Sequence, residues 1–216
     1  RCKVTLMLPP SIPIFPLPNT VLFPNVFLPL HIFELRFKRM ITDALLGDRI
    51  IGMTLLRPGW ESDYEGRPAV FSVGCAGLIT HSETLEDGRY NIVLRGLQKF
   101  QISGEDNGQG YRIARVSGIA EPVDEVTRLA VQGSRGRLEE LLTQSAKNEN
   151  AEGRLPKSVS DEDLVNALAQ YLDIDAIEKQ ALLEREGLAK RCESLIELLE
   201  MKLLVARYPS QSRQLQ

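Results

Sequence analysis

The residues able to act as nucleophile, base or soft metal ligand are few: His31, His81, Cys2, Cys75 and Cys192 in a chain of 216 residues. Cys75 and His81 would form a thiol–imidazole pair if the chain brought them together, and with His31 they define one alternative, a small thiol/His-dependent hydrolase at a barrel mouth. A strand rises about 3.3 Å per residue, so six residues hold the two side chains roughly 20 Å apart unless the chain folds back. His31, in a Leu-His-Ile-Phe setting before a helix, is expected to be a hydrogen-bonded structural imidazole at the strand-to-helix corner. No Cys-x-x-Cys, His-Glu-x-x-His or Gly-x-Ser-x-Gly motif occurs, and none of the 16 glycines is followed by Lys, which excludes a phosphate-cradling P-loop. Gly108-Gln109-Gly110 runs into Tyr111, Arg112 and Ile113 in a hairpin setting and does not make a dinucleotide fingerprint. The reading is therefore of a chain with no catalytic residue, no metal site and no cofactor.

Binding chemistry is better represented. A 12-residue polar connection from Arg57 to Pro68 holds Trp60 and Tyr64, and large aromatics beside a guanidinium are the side chains that anchor protein partners. Arg57, Trp60 and Tyr64 are the candidate partner-binding residues; the alternative role for Trp60 is to fold back over the barrel mouth. Glu184 to Glu186 and the Glu193, Glu197, Glu200 series are read as the solvated faces of helices.

Prolines at 9, 10, 13, 16, 18, 24 and 29 deny helix to the first 30 residues and leave short, buried-type strands around Ile14–Phe15, Val21–Phe23 and Val26–Leu28. From Phe33 the apolar period becomes helical through Phe37, Met40, Ile41, Ala44 and Leu45, with Gly47 closing the helix. Strands are expected at 50–56, 69–73, 76–80, 90–94, 98–102 and 111–116, with turns at Glu86–Arg89 and Glu105–Gly110. After Pro122 the period is helical throughout. Val126, Leu129, Ala130, Leu138, Leu141 and Leu142 mark one long helix, 147–158 a polar connection, Ser160 the cap of the next helix, and Asp175 with Glu178 the capping box of a third. A last helix from Leu188 to Val205 carries apolar residues on several faces and is expected to be largely enclosed.

Composition divides at the same place. Residues 1–118 hold 12 of the 16 glycines, 9 of the 12 prolines and 11 of the 13 aromatics with a net charge of +2, whereas 119–216 carry −5. The fold class that follows is α+β: an N-terminal twisted β-sheet or pseudo-barrel with one packed helix over 9–118, then a C-terminal α-helical bundle over 119–207, with flexible termini at 1–8 and 208–216. A total charge of −3 gives no electrostatic footprint for nucleic acid. No apolar run approaches the roughly 20 residues of a membrane span, and three widely spaced cysteines suit reduced thiols, so a cytoplasmic setting is expected.

One resemblance covers nearly the whole chain, about 12–204. Pro13-Ile14-Phe15-Pro16-Leu17-Pro18, Val21-Leu22-Phe23-Pro24 and Leu28-Pro29-Leu30-His31-Ile32-Phe33-Glu34, followed by Asp43-Ala44-Leu45, Gly47-Asp48, Gly74, Asp87-Gly88-Arg89 and Leu94-Arg95-Gly96, resemble the N-terminal, substrate-recognition domain of the ATP-dependent Lon protease family. The resemblance implies a PUA-like pseudo-barrel whose structural motif is carried by Pro16, Phe23, Pro24, Pro29, His31, Phe33, Glu34 and Gly96, with Phe33 and Phe37 seating the helix across the barrel and Glu34 pairing with Arg36. Asn25 stands where relatives often carry Gly, and Phe37 where Tyr is common; Asn tolerates the left-handed turn. No ATPase or Ser-Lys protease module follows within the 216 residues, which points to a standalone, non-catalytic module. Its implied partners are a protein or unfolded polypeptide segments, with the alternative of an adaptor or regulator of a full-length Lon-type protease.

Overall fold

The computed structural model describes residues 7–107, 110–149 and 160–207. They form two compact units, Arg1–Ala120 with Gln170–Glu184, and Glu121–Ala169 with Arg185–Gln216. The helical part expected over 119–207 is thus divided between them. The expected flexible ends lie outside the described residues, apart from Met7 and Leu8.

The first unit is built from six strands, β1 (Ser11–Leu17), β2 (Phe27–Ile32), β3 (Ile50–Leu55), β4 (Val73–Thr84), β5 (Tyr90–Asn107) and β6 (Arg112–Ile119), with helix α1 (Leu35–Leu46) between β2 and β3. β1 runs parallel to β3, with Ile14 opposite Gly52, and antiparallel to β6, with Ile12 opposite Ala114. β3, β4, β5 and β6 continue antiparallel, and because β6 pairs with both β1 and β5 the sheet closes on itself. A parallel neighbour cannot be reached by a tight turn, and the excursion through β2 and α1 provides the crossover. Ile12, Ile14, Ala76, Phe100 and Ala114 fill the interior. Phe100 takes space left by Gly52 and Gly74, where a Cβ would press on its ring.

β5 is one strand of 18 residues where the sequence suggests two of five separated at Arg95–Leu97. Its first half lies between β2 and β4, and its second between β4 and β6, with register shifts at Ala76/Gly77 and Ile102/Gly104 that bend the ladder. Gly96 sits where the halves meet. The Asn25 N–H donates to its carbonyl at 2.9 Å, its own N–H donates to the Val26 carbonyl at 2.8 Å, and a Cβ there would fall inside the Phe23 carbonyl. Asn25 itself adopts φ 62°, the left-handed conformation its type tolerates.

Several expectations need correction. Val21–Phe23 is buried but forms no strand. One side chain serves two of its backbone groups: Gln170 accepts the Phe23 N–H at 3.1 Å and donates to the Val21 carbonyl at 2.7 Å. Of the strand expected at 69–73, only Val73 belongs to β4, and Val70 makes an isolated bridge with Leu56. Glu105–Asn107 extend β5; residues 108 and 109 of the expected turn lie outside the described residues. Phe33 does not seat the helix. It precedes α1, is 62 % exposed, and stacks on the His31 ring at 6.2 Å, while Phe37 alone faces the barrel, 4.3 Å from the Phe15 ring.

His31 is pinned as expected. Glu83 accepts from the Asn91 amide nitrogen at 3.1 Å, which turns Asn91 Oδ1 toward His31 Nδ1 at 2.8 Å, and Arg89 donates to His31 Nε2 at 3.3 Å. On β2, Leu28, Leu30 and Ile32 form the hydrogen-bonded pairs with β5, so the backbones of Phe27, Pro29 and His31 face the strand's other edge. Among the described residues no strand pairs with that edge; Tyr171 donates its hydroxyl to the Phe27 carbonyl at 2.5 Å.

The helices are α2 (Glu125–Glu149), α3 (Asp161–Tyr171), α4 (Ala176–Glu184) and α5 (Gly187–Arg207), the unit boundary falling inside α3 after Ala169. Both expected caps are present: Ser160 Oγ accepts the Asp163 N–H at 3.1 Å, and Glu178 accepts the Asp175 N–H at 3.0 Å. In the second unit α2 packs against α5, and the buried residues are Val131, Leu138 and Leu141 of α2, Leu164 and Val165 of α3, and Leu188, Cys192, Leu195 and Leu199 of α5. Val126 and Leu129, expected on the buried face, are 75 % and 57 % exposed. Met201, Leu204 and Val205 are exposed as well, so α5 buries one stripe rather than being enclosed. Arg191, 1 % exposed, joins Glu121 through a two-oxygen contact at 2.7 and 2.9 Å and Asn166 at 2.9 Å.

Two substitutions test these supports by urea denaturation. Gly96→Ala is expected to cost at least about 2 kcal/mol, because the β5 backbone must move away from Phe23. Arg191→Ala removes the buried guanidinium that Glu121 and Asn166 share and is expected to cost about 3–5 kcal/mol; a loss under about 1 kcal/mol from either contradicts the role given to it.

Candidate functional site

Three residues of the Leu35-side corner and the 57–68 connection assemble one cluster. Glu34 stands at the α1 N-cap position, yet its carboxylate caps nothing. It accepts from Arg36 Nε at 3.0 Å and from the Tyr64 hydroxyl at 2.6 Å, and the Arg36 guanidinium also donates to the Tyr64 carbonyl at 3.2 Å. The expected Glu34–Arg36 pair therefore exists, and it ties down the aromatic loop as well. Arg36 lies over the rings of Phe37 and Tyr64 at 4.6 and 4.8 Å, which adds cation–π attraction to the ion pair. Trp60 opens a single 3-10 turn (Trp60–Asp63) and meets the Tyr64 ring edge-on at 5.5 Å. Both aromatics are half-buried.

Arg57 is held elsewhere in the connection. Its Nε donates to the Val70 carbonyl at 3.1 Å and its guanidinium lies over the Phe71 ring at 5.3 Å. The structure thus joins Trp60 and Tyr64 and gives Arg57 separate partners.

Beside this cluster is a pocket of about 210 Å³, lined by Pro16 of β1, Arg36 and Phe37 of α1, Glu65–Arg67 of the connection, and Gly110–Arg112 at the start of β6. Arg112 is set by Glu105, with Nε and Nη2 donating to its two oxygens at 2.8 and 2.7 Å, and by the Pro68 carbonyl at 2.8 Å. Tyr111 donates its hydroxyl to Asp43 at 2.9 Å. Burial raises both Tyr64 and Tyr111 above the ordinary tyrosine value, and the hydrogen bond each makes to a carboxylate adds to the rise. Tyr111, Arg112, Arg67 and Glu65 were not among the sequence candidates. They come from segments about 45 residues apart, and the only local signal is their position beside Gly66 in the polar connection and Gly110 at the end of an expected turn.

The thiol–imidazole alternative has no geometry to support it. Cys75 is fully buried, with its thiol toward the Ala76 carbonyl, and His81 is exposed six residues along the same extended strand. His31 pairs across β5 with Asn91, whereas Cys75 pairs with Lys99, eight residues along. Burial pushes the Cys192 thiol up, away from the reactive thiolate. Among the described residues no group of three His, Cys, Asp or Glu could hold a metal ion, and no helix is long and apolar enough to cross a membrane.

The tyrosine–carboxylate contacts give stability that is complete below the ordinary tyrosine value of 10.0 and is lost as pH rises through the raised native values. Thermal unfolding followed from pH 8 to 11 should show a fall in midpoint at the alkaline end that is smaller in Tyr64→Phe and smaller again when Tyr111→Phe is added. An unchanged alkaline slope in the double variant would contradict these two hydrogen bonds.

Comparison with known proteins bears on the whole arrangement. Over 200 residues the chain is 28 % identical to Lon protease 2 of Myxococcus xanthus, covering 90 % of this chain and 24 % of that protein. With the Lon protease of Flavobacterium johnsoniae it shares 25 % identity over 209 residues, 91 % of this chain and 24 % of the relative. The chain therefore spans about a quarter of the length of these curated relatives. Two solved structures share the fold: a Lon N-terminal domain protein from Xanthomonas campestris (TM-score 0.61, 20 % identity, 87 % of this chain and 97 % of that one), and the N-terminal domain of a Mycobacterium avium complex Lon protease (0.65, 17 %, 88 % and 98 %). Residues 11–201 match the model of the ATP-dependent protease La (LON) substrate-binding domain, and the chain belongs to that family.

Proposed function

We propose that the chain is a non-catalytic module that binds polypeptide, engaging exposed segments of protein partners through the aromatic pair Trp60 and Tyr64. The observation that carries this reading is the way the pair is held: the ion-paired Arg36 and Glu34 grip Tyr64 through a cation–π contact and a 2.6 Å hydroxyl–carboxylate bond, and Trp60 rests edge-on against the Tyr64 ring, without the rings being covered completely. Rigid, half-exposed aromatics lose little conformational entropy on binding and bring large apolar area, which is why they dominate interface energetics. Membership of a substrate-binding family supports the same reading, and the burial of Cys75 and Cys192 apart from the exposed His31 and His81 supports the absence of catalysis. A Lon-type protease is the natural context for such a module, and buried cysteines such as Cys75 and Cys192 are consistent with the cytoplasm.

Trp60 is the single tryptophan, so its fluorescence reports on the loop directly. Titration with a reduced, alkylated and permanently unfolded polypeptide is expected to shift Trp60 emission saturably. Trp60→Ala and Tyr64→Ala, followed by calorimetry, are each expected to weaken binding about tenfold or more, the range of an interface anchor. Unaltered Trp60 emission together with full affinity in both variants would overturn the assignment to this loop, and peptidase or ATPase activity in the purified chain would overturn the non-catalytic reading.

A further inference from the structure

We infer that the pocket beside the aromatic pair is a carboxylate-binding site that takes an acidic group of the bound polypeptide together with a neighbouring apolar side chain, an inference that rests on the polypeptide-binding reading above. The lining is asymmetric in charge: Arg36, Arg67 and Arg112 face one carboxylate, Glu65. The acidic groups that orient two of these guanidiniums, Glu34 and Glu105, do not line the pocket.

Orientation leaves capacity. A guanidinium has five N–H donors in a fixed fork. Arg36 spends them on Glu34 through Nε and Nη2 and on the Tyr64 carbonyl, and Arg112 on both oxygens of Glu105 and the Pro68 carbonyl. Each of these two therefore keeps two further donors. Their side chains are 22 % and 11 % exposed, so the forks are held in place and weakly hydrated before any ligand arrives. Such prior ordering removes much of the entropy cost of binding, and a charge-assisted bond to a carboxylate is about twice as strong as a neutral one.

The rest of the lining carries no further charge: Gly66, Gly110, Pro16, Phe37 and Tyr111, whose hydroxyl is already given to Asp43. At about 210 Å³ the pocket is below the roughly 300–1,000 Å³ of sites for drug-sized ligands, and its size suits one residue of a chain. Its lining shares Arg36 with the Trp60–Tyr64 cluster, so one polypeptide could occupy both.

The carboxylate can be a chain terminus or an Asp or Glu side chain, and three peptides separate these sources: N-acetyl-Ala-Ala-Leu with a free terminus, its C-terminal amide, and N-acetyl-Ala-Asp-Leu-amide. Amide chemical shifts of the full chain are followed by NMR, with Gly66, Gly110, Tyr111 and Arg112 reporting on the pocket. The free acid, the Asp peptide or both are expected to move these resonances while the neutral amide does not: the free acid alone identifies the terminus, the Asp peptide identifies the side chain. Arg67→Gln, a change at an exposed position that spares the Arg36 and Arg112 pairs, is expected to raise the dissociation constant about tenfold. Arg112→Lys, which keeps the charge and loses the fork, is expected to weaken binding too. Equal shifts from the neutral amide, or none from any carboxylate peptide at about 10 mM, would overturn the inference. Failure here is distinguishable from failure of the parent reading. An unfolded polypeptide that shifts Trp60 emission and leaves the pocket resonances unmoved removes the carboxylate site alone, whereas carboxylate peptides that fill the pocket when unfolded chains ignore Trp60 remove the aromatic site alone.

Discussion

The structure of the first unit depends on one strand being long enough to serve two partners in succession. β5 begins against β2 and ends against β6, with β4 along much of its other edge, so a single run of 18 residues converts an open sheet into a closed one. That change of partner needs a place where another stretch of backbone can come very close, and Gly96 is that place: the Phe23 carbonyl occupies the position of the missing side chain. Closure in turn brings the start of β6 back beside β1 and α1, which is how Arg112 and Tyr111 come to share a pocket with Pro16 and Arg36. The proposed site is a product of the ring and has no counterpart in any local segment.

A second theme is that polar side chains stand in for secondary structure. Val21–Phe23 is buried without a ladder, and a buried backbone group without a partner is costly. Gln170 supplies one donor and one acceptor from a helix, doing for this segment what a neighbouring strand would do. Gln180 reaches the Val73 carbonyl just where β4 begins, at 2.9 Å. In the second unit Arg191 plays a similar part among Glu121 and Asn166.

These substitutions explain which features were legible in the sequence. Local chemistry is legible in the sequence: the Ser160 and Asp175–Glu178 caps, the left-handed Asn25 and the Glu34–Arg36 pair all depend on residues within a few positions or on conformational preference. The α+β class followed from periodicity and composition, and the Pro/Phe-rich opening pointed to the family. Apolar pattern was less faithful where it had to say which face a helix buries. Val126, Leu129 and Phe33 are apolar at suitable spacing but lie at or beyond helix ends, where the packed face has not yet begun. Gln170 and Gln180 carry no local signal, because their partners are about 150 and 107 positions away. The aromatic half of the candidate site was visible as two rings in one long connection; the arginine half was not, since its members meet only after the ring closes.

The outer edge of β2 is left without a strand among the described residues, and its middle position is Pro29. Proline has no N–H to offer there, and the Phe27 carbonyl is already engaged by Tyr171. A module that holds extended, unfolded chains close to a bare sheet edge would risk seeding cross-β growth, with each captured chain becoming the template for the next. Pro29 and Tyr171 withdraw a donor and an acceptor from this six-residue edge, which leaves it a poorer template for an added strand.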